Sequence, residues 1–202
     1  MTTEYALDGR PGAGDFDFPG AQELIKAVEA AVQHDNDDDI AEGVKQGLCR
    51  LIAGANFQLP AEFLEAEADH YARRLVYRDP KDAFSIVAMT WGVGQGTPLH
   101  DHSGMWCVEG VCHGRIRIEQ YAHRESRNGL ERFRLEDVTT SAIGGAGCLI
   151  PPHEHHRILN DSEEQVAVTL HIYGGEMTSC TIFHPENGDW YRPEVRGLSY
   201  DG

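Results

Sequence analysis

A chain of 202 residues with 41% hydrophobic and 25% charged side chains can bury one substantial core, which excludes a disordered chain and a coiled coil. Seventeen Lys and Arg against 33 Asp and Glu leave a net charge of −16, a surface that repels polyanionic backbones and makes nucleic acid a poor partner. The apolar runs at 84–90 and 166–173 are far shorter than the ~20 residues of a membrane helix. Residues 1–10 lack a basic-then-apolar leader, and the five cysteines include no Cys-x-x-Cys pair. The expectation is a cytoplasmic protein with reduced thiols, no membrane partner and neither structural zinc nor disulfides.

Up to about residue 80 the pattern is helical. Apolar side chains recur at three and four in Leu24, Ile25, Val28, Ala31 and Val32, and again in Ile40, Val44, Leu48, Leu51 and Ile52. The acidic run 35–39 falls where the second helix starts, and its carboxylates suit the positive end of the helix dipole better than a metal site. Pro60 opens a third, short helix through Phe63. From residue 84 the chain turns to short segments rich in Val, Ile, Thr and aromatics. These predict strands at 83–91, 105–111, 115–121, 131–135, 147–150, 156–160, 165–173 and 179–184, with a turn at Asn187-Gly188. The expected organisation is an N-terminal helical extension, 1–80, and a β-barrel, 81–202, forming one structural domain. The fold class is all-β, a jelly-roll barrel with the N-terminal α-helices packed outside and room for a small ligand within. Nothing in the sequence specifies an oligomeric state.

His100 and His102 are one residue apart, so on a strand both imidazoles project from one face and can share a metal ion, with Asp101 turned away. A second imidazole source follows fifty residues later, where His153, His155 and His156 crowd into four positions. His153 and His155 share one face of an extended segment and His156 takes the other, so spacing does not choose among them. Thr169, His171 and Tyr173 alternate and therefore share one strand face, which in a barrel can be the lumen.

These segments resemble the cupins. Gly94, His100, His102, Cys107 and Gly114 match the first cupin motif, except that Cys107 stands where most cupins place a glutamate ligand. Gly145, Pro151, His156 and Asn160 match the second motif, with His153 in place of its internal glycine. In that register His156 is the third ligand and no glutamate remains, a three-histidine set that is similar to the thiol dioxygenases, the group containing cysteine dioxygenase. Tyr71-Ala72-Arg73 resembles the Tyr-x-Arg substrate clamp of that family, and Thr169-Leu170-His171-Ile172-Tyr173 resembles its Ser-x-His-x-Tyr strand. The likeness covers about residues 70 to 175.

The resemblance implies Fe(II) held by His100, His102 and His156, and a reaction of a small thiol with O2 that gives a sulfinic acid. Three neutral imidazoles without a carboxylate suit iron with open positions beside a soft sulfur donor. Arg73 is expected to hold the substrate carboxylate with Tyr71 assisting, while Arg74 points away. Tyr173, His171 and Thr169 form a hydrogen-bonded array beside the metal, with Tyr173, His171 and Cys107 the catalytic set. Cys107 and Tyr173 occupy positions that join through a thioether in the mammalian-type enzymes. Arginine at 73 favours L-cysteine, since related enzymes acting on 3-mercaptopropionate carry glutamine there, although mercaptosuccinate also offers the carboxylate. A metal-binding cupin sensor without catalysis is the reading from another class. Cys112, five residues from Cys107, belongs on the opposite strand face, and Cys49, Cys148 and Cys180 read as small apolar residues.

Overall fold

The computed structural model describes residues 18–55 and 57–201, so the segment 1–10 read for a leader lies outside the described residues. Two helices come first, α1 (Ala21–Ala31) and α2 (Asp37–Ala53), followed by a 3-10 turn at Ala61–Leu64. Asn36 caps α2 by accepting the Asp39 amide at 2.9 Å, and Asp37, Asp38 and Asp39 fill its first turn, where carboxylates meet unpaired N–H groups. Strands follow as β1 (Ala72–Arg78), β2 (Ser85–Trp91), β3 (Leu99–His100), β4 (Cys107–His113) and β5 (Arg115–Arg127). The remainder are β6 (Leu130–Ala142), β7 (Ala146–Leu149), β8 (His156–Leu159), β9 (Ala167–Tyr173), β10 (Ser179–Asn187) and β11 (Trp190–Gly197).

One sheet runs β1-β2-β9-β4-β7, and the other six strands close in the order β10-β11-β6-β5-β8-β3, giving the cupin jelly-roll barrel with α1 and α2 outside it. The five-stranded sheet is covered on both faces along β2, β4 and β9. Its outer side chains, including Ile86, Val108 and Leu170, pack with Val28, Val44 and Leu48 of the helices. Its inner ones, including Leu75, Val87, Cys107 and Tyr173, face the lumen with Ile116, Ile158 and Ile182 of the second sheet. A strand covered on both faces reads as a continuous apolar run rather than an alternation, which explains residues 84–90 and 166–173. At Gly110 a β-carbon would sit 2.5 Å from Leu48 Cδ2, so glycine is what lets α2 lie against β4. Among the described residues no helix is long and apolar enough to cross a membrane.

Three strands differ from expectation. Strand β1 lies within the residues read as helical; Arg73 and Arg74 are consecutive and both buried, which breaks any polar-apolar alternation there. Two-residue β3 is too short to leave a pattern. Exposed β11 carries Arg192, Pro193, Glu194 and Arg196 and reads as a loop, yet it pairs with β10 from Ser179↔Gly197 to Asn187↔Trp190. Strands β5 and β6 also run longer than expected, through exposed polar residues up to a two-residue turn. There Asn128 and Gly129 take φ of 53° and 74°, the left-handed pair of a tight hairpin.

Candidate metal centre

Pairing of β3 with β8 sets His100 directly opposite His156, and the turn after β3 brings in His102. One nitrogen from each ring lies within 4.8 Å of the other two, and all three side chains are buried. His100 Nδ1 lies 3.1 Å from the Pro98 carbonyl, which can only accept, so Nε2 is left with its lone pair. Among the described residues His102 and His156 each find no hydrogen-bond partner for either buried ring nitrogen. Orphaned buried nitrogens at this density are costly, and a divalent ion ligated by imidazole relieves the cost; the residues fit such an ion. Burial pushes all three imidazoles below their ordinary range, His102 and His156 most strongly, and so keeps them in the neutral form that ligates. Asp101 is turned away: its Oδ1 accepts the amides of Thr181 at 2.8 Å and Ser103 at 3.1 Å. His153 is exposed, and His155 packs on Phe133 and Phe183.

Thr169, His171 and Tyr173 project from β9 into the lumen beside this cluster. Trp91 Nε1 donates to Thr169 Oγ1 at 2.9 Å, and that hydroxyl lies 2.7 Å from His171 Nε2. With the Thr169 hydroxyl donating to Nε2, the His171 Nδ1–H lies between two acceptors, the Tyr173 hydroxyl at 3.3 Å and Glu109 Oε1 at 3.1 Å. The Tyr173 ring lies 5.9 Å from that of His102. Cys107 of β4 is the direct cross-strand partner of Tyr173, and both are buried. Burial, reinforced by Glu109 for the thiol and by the Cys107 sulfur for the phenol, raises both groups and holds them protonated.

A carboxylate that the sequence reading did not name also faces the lumen beside the histidines. Glu109, opposite His171 in the β4–β9 register, is buried with Oε1 3.1 Å from His171 Nδ1 and 3.5 Å from His156 Nε2. The signal lay in strand period: residue 109 is two beyond Cys107 and so shares its inward face.

On the neighbouring strands Arg73 faces the lumen, and Arg74 faces out to Thr90 Oγ1 and the Glu65 carbonyl. Arg73 is clasped by the chain's end, its Nη1 donating to the Ser199 carbonyl at 3.0 Å and its Nη2 to that of Met177 at 3.3 Å, with Tyr200 beneath the guanidinium. Tyr71 stacks on Trp91 with ring centroids 4.6 Å apart. A cavity of about 290 Å³ reaches His100 past Tyr71, Cys180, Arg196 and Leu198. Cys112 lies on the helix side, away from Cys107.

A jelly-roll barrel whose lumen gathers three buried histidines is a cupin with a metal-site-like cluster. Residues 55–186 match the cysteine dioxygenase type I family, and the chain belongs to that family. It is 25% identical over 132 residues to the cysteine dioxygenase type 1 of Danio rerio and 24% identical over 133 residues to that of Homo sapiens. Each match covers 63% of this chain and 62% of the relative's length. Among solved structures, the TT1209 protein from Thermus thermophilus is similar with a TM-score of 0.45 and 16% identity, over 59% of this chain and 96% of that one.

Proposed function

We propose that the protein is a non-heme iron thiol dioxygenase that converts a small thiol carboxylate, L-cysteine first among them, with O2 into the sulfinic acid. The observation that carries this reading is the buried convergence of His100, His102 and His156 in a member of the cysteine dioxygenase type I family. Fe(II) held there would supply a centre at which a thiol gives up its proton and meets dioxygen. The chain's own side chains do the rest. Among the described residues two of the five N–H donors of the Arg73 guanidinium are engaged, and the remaining ones are the donors we assign to a carboxylate. Tyr71, fixed by its stack on Trp91, walls the same space. Tyr173 keeps its proton and offers it as a hydrogen bond, oriented by His171, which Thr169 in turn holds. Such fixed donors position a substrate without reorganising at the moment of reaction. Five free cysteines suit a reducing cytoplasm, and the partners are the thiol and dioxygen.

A second substrate reading rests on Arg196. Among the described residues its guanidinium forms no hydrogen bond or ion pair, yet it lines the cavity and its charge, like that of Arg73, acts on Tyr71 and Cys180. Two cations there suit a thiol with two carboxylates, such as mercaptosuccinate, more than they suit 3-mercaptopropionate. Oxygen uptake by iron-loaded protein with cysteine, 3-mercaptopropionate and mercaptosuccinate tests both readings. Uptake with at least one is expected; a loaded protein that consumes oxygen with none of them is a metal-binding sensor instead.

A further inference from the structure

The geometry points to Glu109 as a fourth protein donor to the metal held by His100, His102 and His156, which rests on the reading of those histidines as a metal site. Cys107 stands in the motif position where a cupin glutamate would be, and Glu109 follows two residues later on the same inward strand face, about 6.6 Å farther along β4. Its Oε1 lies 3.5 Å from His156 Nε2 and 4.0 Å from His102 Nε2. Donors bound to one ion at about 2.1 Å stand about 3.0 Å apart when adjacent and about 4.2 Å when opposite, and both observed separations fall within that span. His102 and Glu109, with Cys107, also form a second set whose ligating atoms all lie within 4.8 Å of one another.

Charge leads to the same assignment. Glu109 is 5% exposed, and among the described residues its ion-pair partners within 4.0 Å are His102, His156 and His171, with no Lys or Arg. A buried carboxylate without a fixed cation is costly, as is a divalent ion whose other ligands are all neutral imidazoles. Each relieves the other. His171 Nδ1 at 3.1 Å then serves as the outer hydrogen bond that orients the carboxylate, as partners of ligating groups generally do. Four protein donors leave two of six octahedral positions for molecules from solution, so a thiol would attach through sulfur alone unless it displaced the carboxylate.

Cobalt(II) is a suitable probe, in the unaltered protein and in Glu109→Gln and His156→Ala. In a crystal structure of the cobalt-loaded unaltered protein a Glu109 oxygen should lie about 2.0–2.2 Å from the metal. In competition with a chelator, Glu109→Gln should lose about 10-fold or more in cobalt affinity, and its visible ligand-field bands should shift. A Glu109 oxygen beyond about 3 Å, with affinity and bands unchanged in Glu109→Gln, overturns the assignment. If His156→Ala still loses the metal in that case, the histidine site stands and only Glu109's part fails. A folded, unaltered protein that takes up no cobalt overturns both. Should Glu109→Gln not fold, the distance in the unaltered protein decides.

Discussion

Arg73 enters the site already engaged, with two carbonyls and the Tyr200 ring fixing its guanidinium before any substrate arrives. Preorganised in this way it loses little side-chain freedom on meeting a carboxylate, and Arg73→Gln should lower kcat/KM for cysteine by about 2–4 kcal/mol, roughly 30- to 800-fold. Steady-state kinetics beside a melting curve separate this from loss of the Ser199 and Met177 contacts; unchanged kcat/KM would remove Arg73 from the substrate's path. Cys107 and Tyr173 sit opposite each other on β4 and β9 with thiol and phenol both protonated. A thioether between them forms a C–S bond from an S–H and a ring C–H, the two hydrogens leaving to dioxygen. Turnover should therefore lower the intact mass by two hydrogens in a peptide pair holding both residues. An unchanged mass with Cys107 still alkylatable would show a free thiol. Much of this constellation is legible from residue spacing: His100 with His102, and Thr169 with His171 and Tyr173, are alternations on extended chain. His156 is not, because only the β3–β8 pairing separates it from exposed His153 and from His155, which packs on Phe133 and Phe183. Glu109 sits in a plain alternation with Cys107 and is hidden only because a charged residue in a strand is ordinarily read as solvent-facing.

Beyond β11, residues 198–201 form a strap that returns to β1. The Asp201 amide donates to the Arg73 carbonyl at 2.7 Å and its Oδ2 accepts the Arg73 amide at 2.8 Å, while His70 Nε2 lies 3.0 Å from Oδ1. Hydrogen bonds to Asp201 and then Asp69 raise His70 above the ordinary imidazole range. Burial acts to raise Asp201, but the Arg73 amide and His70 outweigh it and hold it low. A raised histidine favours the docked strap at pH below its ordinary value and loses that contribution as pH rises through the raised one. The lowered aspartate adds stability above the carboxylate range, lost only on strong acidification. Docking should be firmest from mildly acidic to neutral pH and loosen above it. Hydrogen exchange at the Arg73 and Asp201 amides, corrected for intrinsic rates, should show protection falling on the alkaline side; protection that rises there would contradict the role of His70. The strap and β11 are invisible in the sequence because what fixes them is pairing, not apolar pattern. By contrast α1, α2 and strands β2 and β9 are legible, since each buries enough apolar surface to impose its own period or run.

At the scale of the molecule, a protein carrying a net charge of −16 has a cavity lined by Arg196 and Asp69, with Tyr71 and Cys180 of its lining under the charge of both Arg73 and Arg196. A net negative surface repels an anionic ligand at long range, so added salt, which screens that repulsion, should speed its association. The helices stabilise the barrel from outside and contribute no side chain to the histidine cluster, so the chemistry belongs to the lumen. That chemistry is tested most directly by turning over the iron-loaded protein with cysteine under isotopically labelled dioxygen. A dioxygenase places two labelled oxygens in each molecule of the sulfinic acid. A disulfide product with release of labelled peroxide would mean that the site oxidises thiols without inserting oxygen, and would contradict the proposed function.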